Sequence, residues 1–444
     1  MANWSSQLRP GELRLVLILG FLLFTNSLAL DLSDVVAVSG FLSQVEVSNI
    51  LIVWVVDMLL IALSSGLQTL VVDRFNRVRL IKAMLLIFAG LYLILRLMFA
   101  FNVPGSINYS LLFLLVEQQW VFFPLVFWVL ASDIFDLSSA KRLFPALASW
   151  GYAGQIAGLG IAAISPSLLS RLNLGIHETL TFNVILYLVA YGVLVWGLRG
   201  QKIRHARREK QTVRETLTEG AGFVREVPAF RYLTIATLAL GIVLTVVDFQ
   251  FLSVTDAYFK NAPDGTFQVF YGLYRLGLTV FAIVIQTLIT PQLTKRFNLK
   301  NIFLFFPFVM LISSLLLWIP GVLAVSGARA LFRTLRGSVD EPIQKMFLAL
   351  VPEERRGRVS MFMDSYLFAG GALLGCILVG VVILLNYGIG IPNYQAVYLL
   401  FAVVASIVAI VMVFKMRSTY DTSMLNWRLK RRQRGASIIE KLEF

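Results

Sequence analysis

Cysteine, histidine and charge are all scarce in this chain of 444 residues. It contains one cysteine and two histidines, and charged residues make up only 14% of it. The single Cys376 excludes an intramolecular disulfide and any cysteine-based metal cluster. His177 and His205 stand far apart in polar stretches, so no paired metal-ligand motif exists. No nucleophile elbow and no Walker-type glycine loop is present, which speaks against a membrane enzyme and against an ATP-driven pump. No catalytic residue, metal or cofactor is expected.

What fills the chain instead is apolar. It is 58% hydrophobic, with a mean hydropathy of +0.78, whereas a soluble domain carries roughly 25% charged residues. Runs of about 20 apolar residues, long enough to cross a bilayer, recur along nearly the whole length. The first run lacks a small-residue cleavage site and leads straight into more spans, so it reads as a first helix and not a signal peptide. The expectation is an all-α integral membrane protein with twelve spans. Six centre near Phe24, Met58, Tyr92, Phe122, Gly154 and Val189, and six near Ile242, Val280, Val309, Arg336, Gly371 and Val404.

Formal net charge is +14, which invites a nucleic-acid reading. Its distribution argues otherwise. One side receives Arg9 and Arg14, the Arg74 to Lys82 cluster, Lys141 and Arg142, the Arg199 to Arg225 loop, Lys295 to Lys300, Arg355 to Arg358 and Arg428 to Arg434. The opposite loops receive only Arg171 and Lys260. By the positive-inside rule both termini are cytoplasmic, and the charge is topogenic, with anionic membrane lipid as its partner and no nucleic acid. The longest hydrophilic stretch divides the chain. The expected domains are a six-helix bundle over 1–198, a cytoplasmic linker over 199–230, a second bundle over 231–416 and a basic tail over 417–444 that lipid or a cytoplasmic partner can meet.

The halves carry echoes of each other. Arg74-Phe75-Asn76 returns half a chain later as Arg296-Phe297-Asn298. "SWGYAGQIAG" (Ser149 to Gly158) aligns with "SYLFAGGALL" (Ser365 to Leu374), and the same register pairs Arg142 with Arg358. Small residues here allow close helix approach. A six-plus-six chain with a long central linker resembles the major facilitator superfamily, which implies two pseudo-symmetric six-helix bundles. "GLQTLVVDRFNRVR" (Gly66 to Arg79) resembles the superfamily's signature between its second and third spans, and the resemblance implies a cytoplasmic gate held by charge pairs. Asp73, Arg74, Arg77, Lys141, Arg142, Arg296 and Arg358 are its candidates.

Two further stretches are similar to the nucleotide transporter family, the ATP/ADP translocases of plastids and intracellular bacteria. In "FWVLASDIFDLSSAKRLFPALASWGYAGQIAG" the matching positions are Phe127, Trp128, Ala131, Asp133, Ile134, Ala140, Lys141, Arg142 and Phe144. "NSLALDLSDVVAVSGF" (Asn26 to Phe41) resembles the family's first span and outer loop. The family's basic residues between that Asn and the Asp-Val pair are missing here, so the resemblance implies a divergent bacterial member.

Charges inside spans are expensive and mark function by default. "SGARALFRTLRGSVDEPIQKMF" places Arg329, Arg333 and Arg336 on one helical face, and forked guanidiniums suit phosphate or carboxylate. Pairing with Asp340, Glu341 or acids elsewhere is the structural alternative. Gly337, Ser338 and Pro342 are positioned to break that helix. "EQQW" puts Glu117 and Gln118 at the centre of span four, suited to a base or to interhelix bonding. Arg275, with Arg96, lines the access route or pairs with Asp248. Asp57, Glu117 and Asp248 are the candidates for proton or ion coupling, because burial moves a carboxyl's titration toward neutrality. The substrate-binding candidates are thus Arg329, Arg333, Arg336, Glu117, Gln118 and Arg275.

The resemblance implies a secondary transporter in the bacterial inner membrane. It is expected to move an organic anion, such as a nucleotide or related phosphate compound, by alternating access with exchange or proton coupling. An exporter of lipophilic drugs or lipids, predicting an apolar and acidic cavity, and a transport fold reused as scaffold or receptor are the alternatives.

Overall fold

The computed structural model describes residues 12–72, 76–199, 213–348, 351 and 353–440. Among these residues there is no strand. The chain runs through α1 (Glu12–Gln44), α2 (Ile50–Val72), α3 (Arg77–Ala100), α4 (Gly105–Ile134), α5 (Leu137–Arg171) and α6 (Glu178–Gly197). A short helix, α7 (Val213–Glu226), precedes α8 (Pro228–Phe259) and α9 (Thr266–Val284). Then come α10 (Thr290–Arg296), α11 (Leu299–Ile302), α12 (Phe305–Leu316), α13 (Val322–Leu335), α14 (Glu341–Leu348), α15 (Glu353–Met361), α16 (Phe368–Ile389) and α17 (Tyr394–Glu440).

Local chemistry sets several boundaries. Asn76 caps α3, its side chain accepting from the Val78 amide at 3.0 Å, and Asp136 caps α5 by accepting from Ser139 at 2.9 Å. The turns after α3, after α5 and before α17 each hold an asparagine at positive φ (Asn102, Asn173 and Asn393), a conformation that asparagine tolerates better than other non-glycine residues. Gly390 closes α16 in the left-handed region.

Among the described residues, ten helices are long and apolar enough to cross a membrane. The sequence predicts twelve spans. The two others fall where the structure is shorter or more charged: the apolar helix over Lys300–Leu316 is short, and the segment from α13 to α14 carries three arginines, Asp340 and Glu341.

Contacts group the chain into two compact units. One comprises Met1–Asn49, Gly66–Lys210 and Asp256–Val280; the other comprises Ile50–Ser65, Gln211–Thr255 and Phe281–Phe444. The first unit takes in the start of α9, and the second the first part of α2. In the first unit α1 is the central element, packed on α4, α5 and α6, and 72% of its most apolar window is buried.

Glycines allow close helix contacts in both units. A Cβ on Gly154 of α5 would stand 2.3 Å from the Phe24 carbonyl of α1, and one on Gly158 2.5 Å from the Leu28 carbonyl. In the second unit a Cβ on Gly371 of α16 would stand 2.6 Å from the Leu238 carbonyl of α8, and one on Gly375 2.7 Å from Thr245. The device repeats, but its register differs from the sequence alignment by one residue, because Gly371 and not Gly370 meets the partner backbone. Thr245 Oγ1 donates to the Ala372 carbonyl at 3.3 Å and closes the second contact. Gly154→Ala is therefore expected to destabilise the protein by about 1–3 kcal/mol through backbone overpacking. Gly160→Ala, on the same helix but facing open space, should leave the melting temperature in detergent unchanged.

Candidate functional site

The second unit holds a buried carboxylate clasped by two arginines. Asp248 comes from the middle of α8, and Arg329 and Arg333, one turn apart on α13, both reach it. Arg329 Nε donates to Asp248 Oδ1 at 2.8 Å, and Arg333 Nε donates to the same oxygen at 3.3 Å. Arg333 Nη2 also donates to Asp248 Oδ2. The two arginines differ in setting. The Arg329 side chain is 9% exposed and lies over the Phe251 ring at 4.4 Å, whereas that of Arg333 is 45% exposed. One carboxylate thus serves two guanidiniums, of which Arg333 is the more accessible.

Arg336 leaves the stripe that the spacing predicts. It opens a π-helical turn, Arg336–Asp340, where the sequence Gly337-Ser338 was expected to break the helix. From there it pairs with Glu341, Nε to Oε1 3.5 Å, and lies over the Phe368 ring at 4.4 Å. Asp340 is buried and accepts from Gln344 at 2.8 Å. Further π turns occupy Ile285–Ile289 and Phe362–Leu367, and such turns often mark functional positions. The turn at Arg336–Asp340 is bonded to residues flanking the one at Ile285–Ile289: Thr290 Oγ1 donates to the Ser338 carbonyl at 2.7 Å, and Ser338 Oγ to the Ala282 carbonyl at 3.1 Å. Asp57, on the part of α2 that belongs to this unit, is buried and engaged by its neighbours.

The first unit carries two polar clusters. Around α1, Gln119 Nε2 donates to Asn26 Oδ1 at 3.1 Å and to the Tyr187 hydroxyl, while Tyr92 donates to Gln119 Oε1 at 2.8 Å. Tyr187 in turn donates to Asn26 Oδ1 at 3.1 Å. Of the "EQQW" stretch, then, Gln119 enters this network. Glu117 and Gln118 are half-buried and engaged elsewhere, and Trp120 is exposed. The second cluster is an ion triad: Arg275 of α9 donates to Asp31 Oδ1 at 2.8 Å and pairs with Asp34. This corrects the expected pairing of Arg275 with Asp248. Arg96 pairs instead with Glu178. Asp31, Asp34, Tyr92 and Tyr187 escape the sequence reading because the Asp-bearing stretch reads as an outer loop, whereas α1 runs unbroken to Gln44.

With this geometry in place, relatives can be compared. The description "TLC ATP/ADP transporter" belongs to the family that matches residues 80–339, more than half of the chain. The chain belongs to the TLC ATP/ADP transporter family. It is accordingly an integral membrane secondary transporter and not an enzyme. No curated protein matches it by sequence. Among solved structures, the nucleoside transporter NupG is 17% identical, with a TM-score of 0.63 over 90% of this chain and 98% of that one. The POT family transporter PepTSo is 15% identical, with a TM-score of 0.67 over 90% and 98%. A bacterial homologue of the iron transporter ferroportin, inward-facing, is 16% identical, with a TM-score of 0.63 over 93% and 100%. At these identities the likeness shows the fold, which is that of the major facilitators.

The candidates for the transporter's gate fall into several groups. Asp73 and Arg74 lie outside the described residues, as does the side chain of Lys141. Arg77 is buried, its Nε 3.5 Å from Asp133 Oδ2. Arg142 donates to both oxygens of Glu12, at 2.8 and 2.9 Å. Arg358 of α15 pairs with Glu219 of α7, so part of the linker is held to the second unit. Arg296 is exposed at the end of α10. Three of the seven candidates thus meet a carboxylate from another helix. Outside the spans, His177 stacks on Phe99 with centroids 5.4 Å apart. Burial, then Arg96, lower its titration below the usual histidine range, against the opposing Glu178. His205 lies outside the described residues.

Proposed function

We propose that this transporter carries a nucleotide or related phosphate compound by alternating access, with Arg333, supported by Arg329, as its phosphate-binding group. The single observation that carries the reading is the shared Asp248: two guanidiniums meet one carboxylate, and the 45% exposed side chain of Arg333 keeps one of them accessible. Arginine presents a planar pair of N–H groups that matches phosphate oxygens. Asp248 acts in this reading as a resident anion that a phosphate group partly displaces. A cavity for lipophilic drugs has no use for an accessible guanidinium of this kind. Arg336 pairs with Glu341, and Arg275 with Asp31 and Asp34.

In the same reading the halves over 1–198 and 231–416 are the moving bodies, joined by the linker over 199–230. Arg77–Asp133, Arg142–Glu12 and Arg358–Glu219 are the pairs that hold the cytoplasmic side and exchange partners during transport. The chain sits in the bacterial inner membrane with both termini cytoplasmic, and the basic tail over 417–444 meets anionic lipid or a cytoplasmic partner.

The test is competition against labelled ATP bound to the purified transporter. Pyrophosphate should displace ATP, and adenosine should do so far less. Displacement by adenosine but not by pyrophosphate would overturn phosphate recognition.

A further inference from the structure

The clasp in the second unit sets two arginines on one acid; the triad in the first sets two acids on one arginine. Asp31 and Asp34 lie one turn apart on α1, and both turn to the same guanidinium. Arg275 Nη2 donates to Asp31 Oδ1 at 2.8 Å, and Nη1 pairs with Asp34 Oδ2. The side chain of Asp31 is 4% exposed, that of Asp34 15% and that of Arg275 23%. Among the described residues, Arg275 is the cation within ion-pair distance of either acid. With both carboxylates ionised, the triad holds one uncompensated negative charge inside an apolar protein. Removing such a charge from water is costly, and a buried acid meets the cost by taking up a proton.

A second observation points to where that proton goes. Asp31 Oδ2 is buried and accepts no hydrogen bond. Its carboxylate is thus satisfied on the Arg275 side and bare on the other.

Among the described residues, the surroundings bring no second cation to either acid. Along α1, α5 brings Arg142 to Glu12, and α4 and α6 bring Gln119 and Tyr187 to Asn26. Asn183 of α6 donates to Ser33 Oγ at 2.6 Å and to the Ala29 carbonyl at 3.3 Å. Tyr109 of α4 lies beside Gly40. From α9, Tyr271 packs against the Arg275 guanidinium at 5.8 Å, and Gln268 donates to Ser165 and the Ala162 carbonyl at 2.9 and 3.0 Å, leaving both acids to Arg275. Glu117 of α4 and Glu178 of α6 are acids and add no positive charge.

We propose that the Asp31–Arg275–Asp34 triad is a proton-binding site, in which one proton forms an O–H bond at Asp31 Oδ2, and that this is the proton the transporter couples to its substrate. On protonation the triad becomes neutral; on release its excess negative charge returns. This places coupling at residues distinct from Asp57, Glu117 and Asp248. The proton-binding half of the inference is independent of which substrate is carried.

Infrared spectroscopy of the purified full-length transporter, titrated through neutral pH, tests it. A protonated-carboxyl band should be present, shift on 13C-aspartate labelling and vanish in Asp31→Asn. Loss in Asp34→Asn instead places the proton on the partner acid and still supports the triad. A band unchanged in both variants, or absent from the wild type across the titration, overturns the site. The isotope shift in the wild type keeps the assignment open to refutation if either variant fails to fold. Sodium is the rival cation: if added Na+ at constant pH removes the band, the proton assignment is wrong. In vesicles, Asp31→Asn should retain exchange of internal for external substrate while losing accumulation driven by a pH gradient. Loss of exchange in the wild type would count against the proposed substrate and leave the infrared result standing on its own.

Discussion

Asp248→Asn is expected to lower the stability of the transporter by about 3–5 kcal/mol, the usual cost of removing one partner from a buried ion pair. The reason is Arg329. Its side chain is almost fully buried, its Nε depends on Asp248 Oδ1 at 2.8 Å, and the Phe251 face alone does not neutralise it. An asparagine keeps an acceptor oxygen but removes the charge that two guanidiniums share. The melting temperature in detergent should fall sharply, and Asp248→Asn combined with Arg329→Gln should recover much of the loss, since the isolated charge is then gone. A single variant that melts with the wild type would mean that the clasp does not form in solution.

Arg333→Gln is expected to act on binding instead. Its side chain is 45% exposed, so solvent screens it and its pairing with Asp248 contributes little to stability. A charged hydrogen bond to a phosphate contributes roughly 1.5–3 kcal/mol, which at 1.4 kcal/mol per decade corresponds to about 10- to 100-fold in affinity. Arg333→Lys should recover only part of this, because an ammonium keeps the charge and loses the planar fork. ATP binding that survives Arg333→Gln and Arg336→Gln together would remove the anion site from this helix.

The general form of the molecule was written in its composition. Long apolar runs, one-sided Lys and Arg, and a polar linker spell out a membrane transporter, and the arginine spacing on the tenth span marks Arg329, Arg333 and Arg336 as embedded charges. What spacing did not reveal was partnership across distant helices. Asp248 appeared as one embedded acid among several, and nothing local tied it to α13. The π turn starting at Arg336 was only half legible: Gly337 and Ser338 signalled a break, but not the partner that Arg336 would take. The first unit was the least readable. Asp31 and Asp34 looked like outer-loop acids because acids usually end a span, and only the continuation of α1 to Gln44 shows them inside one. The glycine repeat was visible, yet its register came out one residue away, since close approach is decided by backbone contact and not by residue identity.

Counterflow in proteoliposomes tests the central claim most directly. Purified transporter, reconstituted with unlabelled ADP inside, should take up labelled ATP from outside well above vesicles lacking internal nucleotide, and Arg333→Gln should reduce that uptake to the level of protein-free vesicles. Labelled nucleotide entering no faster than into protein-free vesicles, whatever nucleoside diphosphate or triphosphate is loaded, would contradict the account.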